Sequence, residues 1–284
     1  MSNIEYRPFN PEDLKPLHEA FLKSFENYFT TFQPTLEQFE HRIFNKLKIS
    51  CDFSELAWVG DQVVGFVLHS SGKYRGKSTL YNGGTGVIPA FRRKQIAQKL
   101  YENILRRCAQ DGHFEQLVLE VIDKNTQALR LYESLGFQFG RELKCFVLRE
   151  IPLKCNDDFF WRESRAYKPE AYAQLLSYSP SFMDAWPHLS HSLVGETILE
   201  AYSSQGLQGF AVFNPTVGRI SQLGIGKENL NSALANALIA KIQSLCQKEL
   251  NIINISSEEL ELISLLESIG WVNELNQFEM ELAF

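Results

Sequence analysis

The chain reads Gly83-Gly84-Thr85-Gly86-Val87-Ile88-Pro89-Ala90-Phe91-Arg92-Arg93-Lys94-Gln95-Ile96-Ala97 where a predicted strand gives way to a long amphipathic helix. Pro89 cannot donate to a central strand ladder, so the strand should end near it. The first turn of the next helix leaves backbone N–H groups unpaired and carries the positive end of the helix dipole, and both favour an anion. Arg92, Arg93 and Lys94 add positive charge there. The pattern indicates a site for a phosphate-bearing ligand; a basic, solvated loop is the alternative.

Three glycines in the same stretch favour the ligand site. Glycine inside a strand marks a bulge or a place where another backbone or a ligand comes close. Gly83, Gly84 and Gly86 would also leave a slot at the end of the strand, because they are so small.

The two halves of the chain repeat one order of elements, which indicates two similar folding units. Leu131–Phe137 and Leu265–Trp271 match as helix ends closed by glycine. Upstream of each, periodicity predicts a hairpin, a long helix and a buried strand. These elements are Leu56–Val59, Val63–His69, Gln95–Ala109 and Gln116–Ile122 in the first half, and Ile198–Ser203, Gln208–Phe213, Asn229–Gln247 and Asn251–Ile255 in the second. A shorter helix and a final strand should complete each unit.

Ahead of the first hairpin, the sequence predicts a strand at Ile4–Arg7 and helices at Pro11–Phe25 and Thr35–Lys46. Asn10 and Thr35 are suited to begin the two helices, and proline fits the first helical position, where its missing N–H costs nothing. The first half therefore has an extra strand and two helices before the shared elements.

Length, composition and charge limit the classes of function. A chain of 284 residues suits two domains of about 140 residues each. With 44% hydrophobic and 22% charged residues it should be globular, and its net charge of −6 argues against a nucleic-acid partner. Because no apolar run approaches a membrane span and the N-terminal residues do not resemble a signal peptide, we expect no membrane partner and a cytoplasmic location.

Cysteine and histidine placement gives no metal site. The five cysteines are scattered and odd in number, which fits reduced thiols. His188 and His191 have a spacing that could ligate a metal on a helix, but Pro187 and the lack of nearby acidic or thiol ligands favour a loop. We therefore expect no metal.

Two motifs resemble those of the GNAT N-acyltransferase superfamily. The first is Val87-x-Pro89-x-x-Arg92-Arg93-Lys94-x-Ile96-Ala97-x-x-Leu100, which looks like the acyl-CoA signature. The second is Asn125-x-x-Ala128-Leu129-x-Leu131-Tyr132-Glu133-x-Leu135-Gly136-Phe137, which resembles the helix after the fifth strand. The family usually has glycine where this chain has Gln95, in the stretch where backbone N–H groups approach the pyrophosphate. A helical glutamine would still offer its N–H, so binding should survive.

The resemblance implies an α/β fold with an α+β mixed sheet, arranged as two tandem GNAT-like acyl-CoA N-acyltransferase domains. The first would be an acetyl-CoA-binding catalytic domain at residues 1–150. A linker at 151–165 and a degenerate GNAT-like domain at 166–284 would follow.

Alignment of the halves indicates that the second copy has lost the site. Across from Arg92, Arg93 and Gln95 stand Leu230, Asn231 and Ala233, and across from Tyr132 and Asn125 stand Leu266 and Glu259. The fold should persist without this chemistry, so we expect one cofactor per chain.

For the cofactor, the resemblance implies that the pyrophosphate of acetyl-CoA is held by the backbone N–H groups of Arg93, Lys94, Gln95, Ile96 and Ala97. Arg92 and Arg93 would be supporting cations. Val87 would lie beside the pantetheine arm, where its N–H would polarise the thioester carbonyl, a role worth on the order of several kcal/mol. Asn125 would contact the cofactor arm or cap the helix that begins near Thr126.

For catalysis, the resemblance implies that Tyr132 gives its phenolic proton to the coenzyme A thiolate as it leaves. Ordinary pKa values near 10 for a phenol and near 8.5 for a thiol lead us to expect favourable donation once the two groups meet. Packing between helix and sheet is the alternative role. Glu120 is the candidate base for the attacking ammonium, directly or through water, and an ion pair with Lys or Arg is its alternative.

These features predict an acetyl-CoA-dependent N-acetyltransferase that acts on a primary amine of a small molecule, peptide or protein. Direct transfer in a ternary complex needs no covalent enzyme intermediate. Two alternatives stay open: a non-catalytic acyl-CoA-binding sensor or regulatory module, and transfer of a longer acyl or aminoacyl group.

Overall fold

The fold comes from a computed structural model that describes residues 3–29, 33–149, 159–186, 188–191, 193, 195–226, 230, 233–246 and 248–284. The chain divides into two compact units. Unit 1 consists of residues 1–121, 125–139 and 280–284, and unit 2 of residues 122–124 and 140–279.

Unit 1 is a mixed sheet with helices. Its strands are β1 (Glu5–Pro8), β2 (Glu55–Val59), β3 (Gln62–Tyr74), β4 (Lys77–Val87) and β5 (Gln116–Ile122), in that spatial order. The β4–β5 pair is parallel and the other pairs are antiparallel. Its helices are α1 (Leu14–Phe25), α2 (Leu36–His41), α3 (Ile96–Asp111) and α4 (Thr126–Ser134).

Both predicted N-terminal helices exist, and each is interrupted. The segment expected at Pro11–Phe25 opens as a 3-10 turn at Pro11–Asp13, capped by the Asn10 side chain, before α1 begins. Thr35 and Gln38 form a reciprocal cap that starts α2. The segment expected to run to Lys46 changes at Arg42 into a π-helical turn, where the Leu47 N–H reaches back five residues to the Arg42 oxygen.

Unit 2 repeats the strand and helix order seen in unit 1. Its strands are β6 (Gln138–Leu148), β7 (Phe160–Ser164), β8 (Thr197–Ser203), β9 (Gly206–Asn214), β10 (Arg219–Gly224), β11 (Leu250–Ser256) and β12 (Val272–Ala283). They lie in the spatial order β12-β6-β11-β10-β9-β8-β7. Its helices are α5 (Pro169–Ala173), α6 (His188–His191), α7 (Ala233–Leu245) and α8 (Leu260–Ile269). These elements and those of unit 1 confirm the predicted α/β class.

The final strands are exchanged, which differs from the expectation that each half completes its own unit. Strand β6 pairs with β11 in unit 2, with Leu148 opposite Leu250. Residues 280–284 belong instead to unit 1, where the Phe284 N–H donates to the Glu115 oxygen at 3.1 Å. Strand ladders join backbone groups, so the side-chain pattern of a strand does not reveal which neighbour it pairs with.

The repeat is visible in backbone detail. Gly136 and Gly270 end α4 and α8 with φ of 95° and 103°. The following residue donates its N–H to the Tyr132 oxygen in unit 1 and to the Leu266 oxygen in unit 2, at 3.0 Å in both. The N-cap residues Asn125 and Glu259 have φ of −84° and −83°. Leu266 therefore occupies the position that Tyr132 has in unit 1.

The loop predicted at His188–His191 is wrong, because these residues form α6, and the Leu189 N–H donates to the oxygen of Ala185 at 2.9 Å. The predicted linker at 151–165 falls partly on residues 151–158, which lie outside the described residues, and partly on β7. The predicted domain bounds stay a prediction. Across the described residues, no three His, Cys, Asp or Glu side chains cluster to hold a metal ion, and no helix could cross a membrane.

Candidate active site

The candidate site is a gap between two strands of unit 1. The parallel pairing of β4 with β5 joins Thr79–Tyr81 to Gln116–Val118 and stops there, although the strands continue to Val87 and Ile122. Beyond Tyr81 the two strands therefore diverge. A divergence of parallel strands leaves backbone groups on the facing edges available to a ligand.

The predicted glycine slot lies on β4 beside this gap. The register against β3 shifts between Asn82 and Gly84, so Gly83 is the extra residue of a bulge. A Cβ at Gly86 would lie 2.5 Å from Cζ of Phe66 and 3.0 Å from Cβ of Ser24. Gly86 is thus required by close packing of α1 and β3 against β4.

The loop between β4 and α3 leaves the start of the helix uncovered. A 3-10 turn at Pro89–Phe91 follows the strand, as the position of Pro89 predicts. The side chain of Gln95, the N-cap residue of α3, makes no capping hydrogen bond within the part of the chain that the structure describes. The amides of Ile96, Ala97 and Gln98 are therefore open to an anion at the positive end of the helix dipole.

The expectation of a helical Gln95 is wrong. Gln95 has φ of 58° and Arg93 has φ of 61°, both in the left-handed region that favours glycine. The helix begins one residue later, at Ile96. This backbone conformation explains in physical terms why the family pattern has glycine where this chain has Gln95.

Replacing Gln95 with glycine is expected to raise the free energy of unfolding by about 1 kcal/mol, because it removes left-handed strain that exceeds the entropic cost of glycine. Arg106→Gly, at an exposed position inside α3, is the matched control and should lower that free energy by about 1 kcal/mol. Urea unfolding of both variants measures whether each substitution raises or lowers the free energy of unfolding. A loss of stability in Gln95→Gly would contradict the strained conformation.

The three basic side chains of the loop are placed differently. The guanidinium of Arg92 donates to two carbonyls, from Nε to Val87 at 3.1 Å and from Nη2 to Ser24 at 2.9 Å. It thereby ties the loop to α1, and its predicted role as a supporting cation stays a prediction. Lys94 lies over the Phe91 ring with its Nζ 4.6 Å from the centroid, and Arg93 is exposed.

Val87 has the backbone orientation that its predicted role needs. The Ile88 N–H donates to the Val64 oxygen on β3 at 3.0 Å. Because N–H groups alternate in direction along an antiparallel ladder, the N–H of Val87 faces away from β3 and toward the side of β5.

Asn125 is a helix cap, one of the two roles left open by the sequence. Its Oδ1 accepts from the Ala128 N–H at 3.2 Å. Its Nδ2 donates to the hydroxyl of Tyr28 at 3.3 Å, so the cap also connects to the segment after α1. Burial raises the pKa of Tyr28, and the hydrogen bond to Asn125 acts in the opposite direction.

Tyr132 lies in α4 with 5% of its surface exposed, and its ring meets that of Tyr101 at a centroid distance of 5.7 Å. Burial is the largest cause that raises its pKa, while hydrogen bonding from Thr85, Tyr101 and Asn82 lowers it. The expected ease of proton donation is therefore wrong. With ordinary pKa values, near 10 for a phenol and near 8.5 for a thiol, transfer to the thiolate already costs about 2 kcal/mol, and burial acts in the same direction.

Glu120 accepts a hydrogen bond from a tyrosine, and both of its predicted roles stay predictions. The Tyr81 hydroxyl on β4 donates to Oε2 of Glu120 on β5. The pair sits where the two strands begin to diverge, since Tyr81 is the last β4 residue in register with β5.

A cluster of polar side chains around Tyr132 was not found from the sequence. Thr85 bonds both Asn82 Oδ1, at 3.2 Å, and the Tyr101 hydroxyl, at 3.1 Å. Tyr101 is fully buried and Asn82 is 9% exposed. The available signal was the presence of polar residues at inward positions of β4 and α3, where apolar residues are expected.

The corresponding gap of unit 2 is apolar. Strand β10 has a bulge at Ser221 as β4 has at Gly83, and a Cβ at Gly224 would meet the Phe210 ring as one at Gly86 meets Phe66. In this register the cluster Asn82, Thr85, Tyr101 and Tyr132 is replaced by four buried aliphatic residues: Ile220, Leu223, Ile239 and Leu266. Leu230, across from Arg92, is also buried; Asn231, like Lys227–Asn229, lies outside the described residues.

Part of the chain matches the model of a known protein family. The model of the Acetyltransferase (GNAT) family matches residues 14–137, which make up less than half of the chain.

Individual proteins are also similar to this chain, in sequence or in fold. It is 28% identical over 101 residues to N-alpha-acetyltransferase 50 of Danio rerio, a match covering 36% of this chain and 60% of that protein. A tandem GNAT protein from the clavulanic acid biosynthesis pathway superposes with a TM-score of 0.74 at 12% identity, covering 99% of this chain and 98% of the other. A putative acetyltransferase from Pyrococcus horikoshii gives 0.73 at 17% identity, covering 100% and 90%. At these identities the two structures show the shared fold.

Proposed function

We propose that the chain is an acetyl-CoA-dependent N-acetyltransferase that moves the acetyl group directly to a primary amine in a ternary complex. The observation that carries the proposal is the gap between β4 and β5, which has an uncapped helix start at one end and the buried phenol of Tyr132 beside it. The GNAT family model on residues 14–137 supports it. The proposal includes the cytoplasmic location.

The residues present fit acetyl-CoA, which would supply the thioester-linked acetyl group. The open amides at the start of α3 suit its pyrophosphate, and Arg93 adds an exposed positive charge. The Val87 N–H, on the free edge of β4, suits the carbonyl oxygen on which negative charge develops. We assign no metal to the site.

The reaction transfers two protons, and the site has a candidate residue for each transfer. The amine must lose a proton as its nitrogen bonds the carbonyl carbon, and Glu120, held by Tyr81, is the proposed acceptor. The sulfur must gain one as its bond to carbon breaks, and Tyr132 is the proposed donor because a phenol is protonated at neutral pH, and burial raises its pKa further.

The acceptor is proposed to be an amine of a small molecule, a peptide or a protein. The printed name of the Danio rerio relative describes an N-alpha-acetyltransferase, which supports an amino group as the acceptor. Incubation with acetyl-CoA and an amine and peptide library, read by mass spectrometry, tests the proposal. Tight acetyl-CoA binding without any acetylated product would favour the acyl-CoA sensor.

Calorimetry with acetyl-CoA is expected to give one equivalent per chain, because the aliphatic cluster of unit 2 has none of the polar groups of unit 1. Arg93→Ala should weaken binding by about threefold to tenfold, more at low salt, since it removes an exposed charge near the pyrophosphate. Arg92→Ala should also lower the melting temperature, because Arg92 holds the loop to α1.

Arg106→Ala is the charge-matched control for binding, as it lies exposed farther along α3. Equal weakening in the Arg93 and Arg106 variants would remove Arg93 from the site. Two bound equivalents in the wild type would contradict the assignment of unit 2.

A further inference from the structure

Ser24 has a buried hydroxyl that the described part of the protein does not use. The residue lies in the last turn of α1 and is 6% exposed. A serine inside a helix can bond its hydroxyl to the carbonyl one turn earlier. Within the residues that the structure describes, Oγ of Ser24 has neither this nor any other hydrogen-bond partner. A buried hydroxyl without a partner costs free energy, so this one needs an explanation.

Close packing places the Ser24 side chain on β4. A Cβ at Gly86 would lie 3.0 Å from Cβ of Ser24, so the serine side chain lies directly against Gly86. Its hydroxyl oxygen is one bond away from that Cβ. The peptide bond that follows Gly86 carries the N–H of Val87, which is the group proposed to contact the acetyl carbonyl oxygen. The unused hydroxyl therefore lies close to the proposed position of that oxygen.

The Arg92 guanidinium holds Ser24 and Val87 together. Its Nη2 donates to the Ser24 carbonyl at 2.9 Å and its Nε to the Val87 carbonyl at 3.1 Å. The guanidinium is planar and rigid, and hydrogen bonds from a charged donor are stronger than neutral ones. The two residues are thus fixed relative to each other before any ligand binds, as a group that stabilises a transition state should be.

Unit 2 lacks a serine at the corresponding place. Gly224 aligns with Gly86, and the three atoms nearest to a Cβ at Gly224 all belong to Phe210. At Gly86 the three nearest atoms are two from Phe66 and one from Ser24. Packing by a phenylalanine is therefore common to both units, whereas the serine contact is found in the unit that has the polar site.

The chemistry of the carbonyl suggests what the hydroxyl bonds. A carbonyl oxygen has two lone pairs, and the Val87 N–H can use one of them. Sites that stabilise a developing oxyanion commonly offer it a second donor. The amine nitrogen already has Glu120 as its proposed base, so a hydroxyl close to the Val87 N–H suits the carbonyl oxygen better than the amine.

We propose that Ser24 is a catalytic residue whose hydroxyl donates to the acetyl carbonyl oxygen, as a second donor beside the Val87 N–H. As the amine nitrogen bonds the carbonyl carbon, the C=O electron pair moves onto this oxygen, and it returns when the C–S bond breaks. Ser24 keeps its proton throughout, so the proton transfers at Glu120 and Tyr132 are unchanged. The inference rests on the proposed function.

The first test observes the carbonyl itself. Acetyl-CoA with a ¹³C-labelled carbonyl is bound to the protein without an amine, and isotope-edited infrared spectroscopy records the C=O stretch. A hydrogen bond to the oxygen weakens the C=O bond, so the stretch should lie at a higher wavenumber in Ser24→Ala than in the wild type. This variant removes one atom and places a better helix former in α1, so it should fold.

Turnover and thermal unfolding provide two further readouts. Ser24→Ala should lower kcat by about tenfold to a hundredfold, with the KM for acetyl-CoA changed much less. The control is Ser177→Ala in unit 2, where another buried serine hydroxyl has no partner among the described residues. It should leave kcat and the C=O stretch unchanged. Without ligand, both variants should melt about 2–4 °C higher, because each loses a buried hydroxyl that has no partner.

The outcomes separate the role of Ser24 from the proposed function. An unchanged C=O stretch or an unchanged kcat in Ser24→Ala would overturn the role of Ser24. A lower melting temperature of the ligand-free variant would also overturn it, because the hydroxyl would then be bonded within the free protein. An absence of turnover in the wild type would overturn the proposed function, while the infrared shift would still decide whether Ser24 bonds the carbonyl. Failure of the wild type to bind acetyl-CoA would overturn both.

Discussion

Phenylalanine at position 132 is expected to slow acetyl transfer by about a hundredfold to a thousandfold, because the departing sulfur loses its proton donor. The affinity for acetyl-CoA should be nearly unchanged, since the ring still packs against Tyr101 and Phe137. Steady-state kinetics on an accepted amine and calorimetry with acetyl-CoA measure the two quantities separately.

The matched control for this loss is Tyr178→Phe in unit 2. Tyr178 is also a buried phenol, whose hydroxyl accepts the Leu223 N–H at 3.3 Å. Both substitutions remove a buried hydroxyl and should cost about 1 kcal/mol of stability, but only the one at Tyr132 should affect kcat. Equal rates in Tyr132→Phe and wild type would assign the residue to packing.

Alanine at position 86 is expected to destabilise unit 1 by about 1–3 kcal/mol through overpacking. The added Cβ would lie 2.5 Å from the Phe66 ring, and Phe66 is itself fully buried against the aromatic residues of α1. Either Phe66 or the end of α1 must move, and Arg92 binds the carbonyl of Ser24 at that end. Acetyl-CoA affinity should therefore fall along with the melting temperature.

Gly84→Ala provides the comparison on the same strand. Its added Cβ would lie 4.0 Å from Cε2 of Phe66, an ordinary contact. Its effect on the free energy of unfolding should be under about 0.5 kcal/mol. If denaturant titration shows the two glycine variants to be equally stable, the close packing at Gly86 is not a constraint.

Most of the helices and strands could be predicted from the hydrophobic periodicity of the sequence and from its turn and capping residues. The predicted strand Gln116–Ile122 matches β5 at both ends, and α3 differs from its predicted bounds by one residue at the start and two at the end. Capping residues located the N-terminal helices because side-chain oxygens satisfy the first N–H groups locally. The strand exchange could not be predicted from the sequence, because strands pair through backbone hydrogen bonds, which the side-chain pattern does not specify.

The sequence predicted the parts of the site that one continuous segment forms, as in the basic loop and the start of α3. It did not predict the contacts between residues that are far apart in the sequence. Arg92 binds two carbonyls, and one belongs to Ser24, 68 residues earlier. The Tyr81–Glu120 pair and the Asn82 cluster likewise join strands and helices whose registers no single stretch of sequence reveals.

The strand exchange also bears on how the molecule is made. The ribosome adds residues 280–284 about 140 residues after it has finished the 125–139 segment of the same unit. A nascent chain can therefore contain all of the residues of the cofactor loop and Tyr132 while the strand segment that belongs beside β5 has yet to be synthesised. Such a chain presents an unpaired strand edge to its surroundings, and edges of this kind associate readily with other chains. Unit 1 thus reaches its native form only after most of unit 2 has been translated.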